Sequence, residues 1–526
     1  MAANSVVKQS NSKGPSIGSA ALLIMIFFVL SRIAGVLREV IIGAQFGLSP
    51  ELDAYVAAFR VPDLLFQLVA GGALGSAFIP TFSEFWVKGD RAGAWLLLSR
   101  VLNLITLLLV ILAGIAAFLA LPIVQRMVPD FPLDQQILTA NLMRWMLLGT
   151  VVFGASGLVM GALNAVQHFL LPAAAPIFYN LAIILGALFL TPFVGIYGVA
   201  VGAAFGSVCH LLIQLPALVQ HKFRYSFDFT LRDSAVLQVG KLMGPRALGL
   251  FAVQMQFLVN TILAGRLDSG SLSALNYGML LMLLPQGIFA QAIATASFPT
   301  FAAQVAAGQK RLMGETFSRI LRLVLFLTLP ATVGLFMLRI PLIRVIFERG
   351  SFTSDDTILV AFALQFYAVG LVAHSVLEII VRAFYALQDT LTPVIIGIGA
   401  MGLNILLSIW WVNWLSYGGL ALANSVATTI EALLLLWLLK RNMVEIPGVP
   451  LLWSALRTVA ATSVMGYVLW LWADFQPEWI LNYDRGGWLI AGSSLLIAIG
   501  SYMVAVLLLN RPEFSSELRL WQQRRG

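Results

Sequence analysis

The residues able to do chemistry in this chain are charges set inside apolar stretches. One such stretch reads Ser31-Arg32-Ile33-Ala34-Gly35-Val36-Leu37-Arg38-Glu39. On a helix Arg32 and Glu39, seven residues apart, share a face, with Gly35 beside them, while Arg38 points elsewhere. A second stretch holds Asp53, Arg60, Asp63 and Gln67. Asp53, Arg60 and Gln67 are spaced by seven and Asp63 is three from Arg60, so the four form one polar stripe. A charge at mid-bilayer costs ~2.5–3.5 kcal/mol on insertion scales, so such a stripe must face protein or water. Guanidinium forks bind phosphate oxygens two at a time and stay charged. The chemistry these residues suit is therefore the holding of an anion, a phosphate or pyrophosphate group, in a water-filled cavity lined by Arg32, Arg60, Arg38 and Arg246. The structural alternative is that Arg32–Glu39 and Arg60–Asp63 are ion pairs or interfacial side chains.

The elements that must carry these residues are transmembrane helices. Of 526 residues 60% are hydrophobic and 11% charged, against ~25% charged in an ordinary soluble domain. Too few charges remain to coat a soluble surface. The apolar residues come in continuous blocks of membrane-crossing length, which excludes the alternating pattern of a barrel. Fourteen spans are expected near 17–45, 54–82, 95–121, 137–162, 172–190, 194–219, 241–265, 272–300, 318–340, 358–384, 393–413, 418–439, 455–473 and 487–509. The first span is expected to be retained rather than cleaved as a signal peptide. The net charge of +8 sits in short loops and reads as topology rather than nucleic-acid binding. The basic excess at Lys8, Lys13, Lys88, Arg91, Lys222, Arg224, Lys440 and Arg441 places both termini in the cytoplasm.

Pro62 should kink the second span, with Gly71, Gly72 and Gly75 weakening it further, and Gly244-Pro245-Arg246 should act similarly in the seventh. Two internal echoes divide the chain. Residues 161–172 align without gaps on 382–393, pairing Gln167 with Gln388 and Pro172 with Pro393 at an offset of 221. Pro80-Thr81-Phe82 and Gly89 recur as Pro299-Thr300-Phe301 and Gly308 at 219. The expected fold is all-α: two parallel six-helix lobes plus two C-terminal helices. The expected boundaries are a tail at 1–16, an N-lobe at 17–232, a C-lobe at 233–445, the last two helices at 446–510 and a tail at 511–526.

Cys209 is alone and belongs to helix packing, and the four histidines lack metal-ligand spacing. Phosphate-binding loops, nucleophile elbows and metal-binding His pairs are missing. Asp355-Asp356, the acidic pair of an outer loop, are explained by helix capping. A transporter without an ATP motor or cofactor, driven by the membrane potential or an ion gradient, fits better than an enzyme. Glu378 and Glu431 are weaker candidates for binding a coupling ion.

The ordered set Ser31–Glu39, Asp53-Ala-Tyr-Val-Ala-Ala-Phe-Arg-Val-Pro62, Gly72-Ala-Leu-Gly-Ser-Ala-Phe-Ile-Pro80, Gly270-Ser-Leu-Ser-Ala-Leu-Asn-Tyr277, Pro285-Gln-Gly-Ile-Phe289 and Arg382-Ala-Phe-Tyr-Ala-Leu-Gln-Asp-Thr390 resembles the MurJ (MviN) lipid II flippase family. The resemblance runs through essentially all fourteen spans. It implies the fold of the multidrug/oligosaccharidyl-lipid/polysaccharide exporter superfamily, with a lipid-facing groove made by the last two helices. It implies alternating-access transfer of an undecaprenyl-pyrophosphate-linked disaccharide-pentapeptide from inner to outer leaflet of the bacterial cytoplasmic membrane, for peptidoglycan synthesis. A partnership with the cell-wall synthesis machinery belongs to the same picture. The family's essential first-span arginine falls on Arg32, its arginine–acid pair on Arg38-Glu39, its second-span aspartate on Asp53 and its second-span basic position on Arg60. Many members carry an Arg-Arg pair and a glutamate further along the second span, where this chain has Phe66, Gln67 and Gly71. An eighth-span arginine is replaced by Met279-Leu280. The implied cavity is less charged than in such members. An exporter of drugs or of another lipid-linked glycan is the alternative.

Overall fold

The computed structural model describes residues 17–71, 77–442, 445–474 and 486–509, and among them every regular element is helical. In chain order, α1 is Ile17–Phe46, α2 Pro50–Ala58, α3 Arg60–Phe66, α4 Ile79–Val87, α5 Arg91–Phe118, α6 Ala120–Met127 and α7 Leu133–Ala165. Then come α8 Leu170–Leu185, α9 Thr191–Val194, α10 Tyr197–Leu212, α11 Leu215–Gln220, α12 Ser234–Ala264, α13 Ser271–Pro285 and α14 Ala292–Ala306. The remainder are α15 Lys310–Met337, α16 Arg339–Phe347, α17 Ser354–Ala386, α18 Leu391–Leu415, α19 Tyr417–Asn442, α20 Gly448–Asp474 and α21 Gly486–Leu509.

Ten of these stretches are long and apolar enough to cross a membrane, eleven when Ser234–Gly244 and Gly249–Ala264 are counted as one span. The second expected span is not one continuous rod. Pro62 has no N–H to give back to Ala58, and the helix breaks at Phe59 into α2 and α3. A π-helical turn follows at Gln67–Gly71; Gly72 and Gly75 lie outside the described residues. Large apolar side chains such as Phe118, Phe193, Leu496 and Leu508 stand exposed on the helices. This is the pattern of a chain solvated by lipid rather than water.

The helix ends follow local chemistry. Ser49 caps α2, its hydroxyl accepting from Leu52 N at 3.3 Å, with Pro50 at the first position. Thr353 and Asp356 form a capping box at the start of α17, which is the role expected of the Asp355-Asp356 pair. The sequence echoes reappear in the backbone. Gln167 and Gln388 both take left-handed φ, 60° and 62°. The next residue's N–H then reaches back five positions, from His168 to Leu163 and from Asp389 to Phe384. Gly89 and Gly308 make the same turn at φ 82° and 72°. The π-helical turn at Gln67–Gly71 has its counterpart at Gln286–Gln291, again 219 residues on.

The chain gathers into two compact units. The first comprises residues up to Ile41, Leu65–Ile115 and Trp145–Arg246. In it α8 packs on α10 through glycines: a Cβ on Gly186 would lie 2.4 Å from the Gly198 carbonyl oxygen. A polar stripe on α5 ties down the loop after α11. Asn103 donates to the Ser226 and Asp228 carbonyls, each at 3.0 Å, and Arg100 pairs with Asp228 and Asp233, each at 2.7 Å.

The second unit comprises Ile42–Leu64, Ala116–Arg144 and Ala247 onward. Its main core joins Phe301, Phe317, Ile379, Phe384 and Leu435, contributed by α14, α15, α17 and α19. A second core holds α20 and α21 together and against α15, through Met465, Leu469 and Tyr502. The Tyr502 hydroxyl donates to the Phe326 carbonyl at 2.7 Å. The end of α1 is fastened here as well: Ser351 N donates to the Ala44 carbonyl at 2.8 Å, beside Gly350 at φ 60°.

Candidate functional site

The expected site residues fall into two clusters, one in each unit, and each is built by a short segment on a longer helix. In the first unit α1 supplies Arg32, Arg38 and Glu39. Arg32 is exposed, its guanidinium 5.2 Å from the centre of the Phe28 ring one turn away. Arg38 gives two hydrogen bonds to Glu39 Oε1, at 3.1 and 2.5 Å, and a third to Asn180 Oδ1 on α8 at 3.0 Å. Asn180 is itself anchored by its amide to the Pro176 carbonyl, at 3.0 Å. That carbonyl is one helical turn back on α8. The result is a half-buried guanidinium whose position is fixed by a carboxylate and an amide. Gln67 also belongs to this unit, partly buried at the first residue of the π-helical turn.

In the second unit the break at Phe59 lets α3 start at Arg60. Arg60 Nε donates to Thr261 Oγ1 on α12 at 2.9 Å, and the guanidinium lies 5.5 Å from the Phe257 ring centre. Asp63 accepts from Gln254 Nε2 at 2.8 Å. Asp63 and the Tyr367 phenol interact electrostatically with Arg60. Gln254, Phe257 and Thr261 occupy one face of α12 at spacings of three and four. Arg60 and Asp63 are therefore both held by α12. A cation with a planar face against an aromatic ring, plus nearby amide, hydroxyl and phenol groups, is equipped to bind an anionic oxygen while keeping its own orientation.

Asp53 does something else. Its carboxylate is buried and accepts three hydrogen bonds at the start of α13: Gly270 N at 2.6 Å, Ser273 N at 2.8 Å and Ser273 Oγ at 2.6 Å. It caps that helix from a distant part of the chain and adds negative charge at the positive end of the helix dipole. Arg246 falls within α12; its side chain is outside the described residues.

Asn180, Gln254, Phe257, Thr261 and Tyr367 were not among the residues expected from sequence. Gln254 and Thr261 carried a usable signal, since they are polar, seven apart and inside an apolar helix, as Asp53 and Arg60 are. Asn180 is a lone amide in an apolar run, and nothing local marks it. His210, one of the four histidines without metal-ligand spacing, is buried in a network with Ser156 at 2.7 Å and with Gln214. Among the described residues no three His, Cys, Asp or Glu side chains converge on a point.

The chain's sequence was compared with known families and its fold with solved structures. The family described as lipid II flippase MurJ matches residues 42–483. A probable lipid II flippase MurJ from Buchnera aphidicola subsp. Acyrthosiphon pisum is 30% identical, over 86% of this chain and 89% of that protein. The lipid II flippase MurJ of Burkholderia cenocepacia is 30% identical, over 88% and 90%. Among solved structures, lipid II flippase MurJ in an inward closed conformation superposes with a TM-score of 0.78 at 27% identity, covering 94% of this chain and all of that one. An inward-facing multidrug resistance transporter of the MATE family, in the MOP superfamily, superposes with a TM-score of 0.63 at 16% identity, which speaks for the fold alone. The chain belongs to the lipid II flippase MurJ family.

Proposed function

We propose that the chain moves lipid II, an undecaprenyl-pyrophosphate-linked disaccharide-pentapeptide, from the inner to the outer leaflet of the bacterial inner membrane. The observation that carries this reading is a family match over residues 42–483, through a helical membrane fold that holds charged clusters on its helices. The substrate's pyrophosphate needs cations, and Arg32, Arg38 and Arg60 are the cations on offer. Arg38 and Arg60 are oriented by their neighbours, so little freedom is lost when they bind an anion. Asp53 and Asp63 act one step back: the first holds the start of α13, the second holds Gln254 and with it the face of α12. Gln67 suits the sugars and peptide, and Arg246 would add a further cation.

The head group crosses by alternating access of two six-helix lobes, residues 17–232 and 233–445. The polyprenyl tail stays in lipid along the last two helices. Both termini lie in the cytoplasm. An inside-negative potential favours outward movement of an anion by ~2.3 kcal/mol per charge per 100 mV, so a potential or an ion gradient supplies the drive without a bound cofactor.

The test is complementation of a strain conditionally depleted of its own lipid II flippase, at matched membrane levels of protein. Wild type is expected to restore growth and Arg32→Ala to fail. Rescue by both would leave the transport reading in place and make Arg32 structural. Failure of well-expressed wild type in several hosts would defeat the reading.

A further inference from the structure

The first unit contains a cavity of about 720 Å³ that the transport reading does not use. Six side chains define its character: the cations Arg91, Lys222 and Arg224, and the aromatics Trp86, Trp95 and Tyr225. All three cations are exposed, and among the described residues none of them forms an ion pair. The acids nearby in sequence are engaged elsewhere. Glu84 pairs with Lys88 at 2.6 Å, Asp90 accepts from Gly93 N at 2.8 Å, and Asp228 and Asp233 pair with Arg100. The lining of the site therefore holds three cations and no acid.

The cavity is built rather than accidental. The loop carrying Lys222, Arg224 and Tyr225 is fastened to α5 by Tyr225 Oη donating to Asn103 Oδ1 at 2.6 Å and Ser226 N donating to Ser99 Oγ at 3.1 Å. Arg91 lies 5.2 Å from the Trp86 ring centre, and Trp86 meets Trp95 edge-on at 5.4 Å. Two membrane spans end at this place: Arg91–Phe118 starts at the cavity and Tyr197–Gln220 finishes at it. Tryptophan and tyrosine at the end of a span sit at headgroup depth. A volume of this size accepts a small organic headgroup, beyond the needs of a lone ion.

We propose that this cavity binds the phosphate-bearing headgroup of an anionic membrane phospholipid. The guanidiniums of Arg91 and Arg224 and the Lys222 ammonium take the phosphate oxygens, and the indoles of Trp86 and Trp95 lie along the glycerol and upper acyl chain. Its lining shares no residue with the Arg38 and Arg60 clusters, and its occupancy is expected to hold the α5–α11 end of the first unit at a fixed depth in the membrane.

The test uses the full-length protein in a non-ionic detergent, titrated with short-chain phosphatidylglycerol, with phosphatidylcholine of the same chains, and with inorganic phosphate. Binding is read as the shift in melting temperature and as an equilibrium titration. Phosphatidylglycerol is expected to bind about tenfold or more tightly than phosphatidylcholine. Arg91→Gln, Lys222→Gln and Arg224→Gln combined should abolish that preference, whereas Arg319→Gln, Lys440→Gln and Arg441→Gln combined should keep it. Should the triple variant fail to fold, Lys222→Glu alone, at an exposed position, is expected to weaken phosphatidylglycerol and leave phosphatidylcholine unchanged. Equal binding of the two lipids, or an unchanged preference in the site variants, would overturn the proposal. Inorganic phosphate displacing the lipid at comparable concentration would also overturn it, by making this a free phosphate site.

Discussion

Asp53 and Arg60 sit seven residues apart on one stripe of the sequence, yet the structure separates what they do. Asp53 has both oxygens occupied by donors at the start of α13. Replacing it with alanine leaves two amide N–H groups and a hydroxyl without their acceptor. A buried donor left unsatisfied costs ~1–3 kcal/mol, so Asp53→Ala is expected to lower the melting temperature markedly in detergent, with Asp53→Asn intermediate. A variant of wild-type stability that still fails in complementation would instead make Asp53 a ligand. Arg60 has its geometry set by Thr261 and Phe257. Arg60→Lys keeps the charge but loses the planar fork, so growth rescue is expected to be weaker than wild type and stronger than with Arg60→Ala, at equal protein levels. The stripe itself was legible in the sequence, because charge inside an apolar run has few explanations. The division of labour was not, because it depends on which donors α12 and α13 bring to it.

At the scale of elements, close packing and tied loops decide where the charges can sit. The α8–α10 contact has no room for a side chain at Gly186, whose Cβ would meet the Gly198 backbone oxygen at 2.4 Å. Backbone cannot step aside as a flexible side chain can, so Gly186→Ala should force the helices apart. Overpacking of this kind costs ~1–3 kcal/mol; the readout is melting temperature, with Gly114→Ala, where nothing lies within 4 Å, as the neutral comparison. The loop after α11 depends on charge instead. Asp228 is held at about 2, from an ordinary 3.8, by the Thr230 hydroxyl first and then by Arg100. Because its folded value is depressed, its contribution to stability is present above pH 3.8 and is lost as pH falls through about 2. The difference in melting temperature between wild type and Asp228→Asn should therefore shrink as pH is lowered through that window. A difference independent of pH would mean that the charge of Asp228 does not help to hold the loop. Pro62 made the break in the second span legible, since a missing N–H is a property of one residue. The π-helical turn after it has no comparable signature.

For the whole molecule, membrane character followed from composition and block length, and the repeat from two short echoes in the sequence. Both echoes recur in the backbone: the turns at Gln167 and Gln388, and at Gly89 and Gly308, share conformation and hydrogen-bond pattern across offsets of 221 and 219. The echoes were readable because a turn that ends a helix constrains a few adjacent residues. The gathering of residues 42–64 and 116–144 with the later part of the chain left no such mark, since it is set by long-range packing spread over many ordinary apolar residues. One consequence of the repeat is quantitative. Gln167 closes α7 and Gln388 closes α17, each at left-handed φ. A side chain in that conformation costs roughly 1 kcal/mol that glycine does not incur. Glycine returns part of the gain through the greater freedom of its unfolded chain. Gln167→Gly and Gln388→Gly are each expected to stabilise by a few tenths to about 1 kcal/mol, by similar amounts, and to add when combined, since the two turns share no partners. Thermal unfolding of the two single variants and the double checks this. Stabilisation by one and destabilisation by the other would show that one of the two glutamine side chains has acquired a role that its counterpart lacks, and that the equivalence of the turns stops at the backbone.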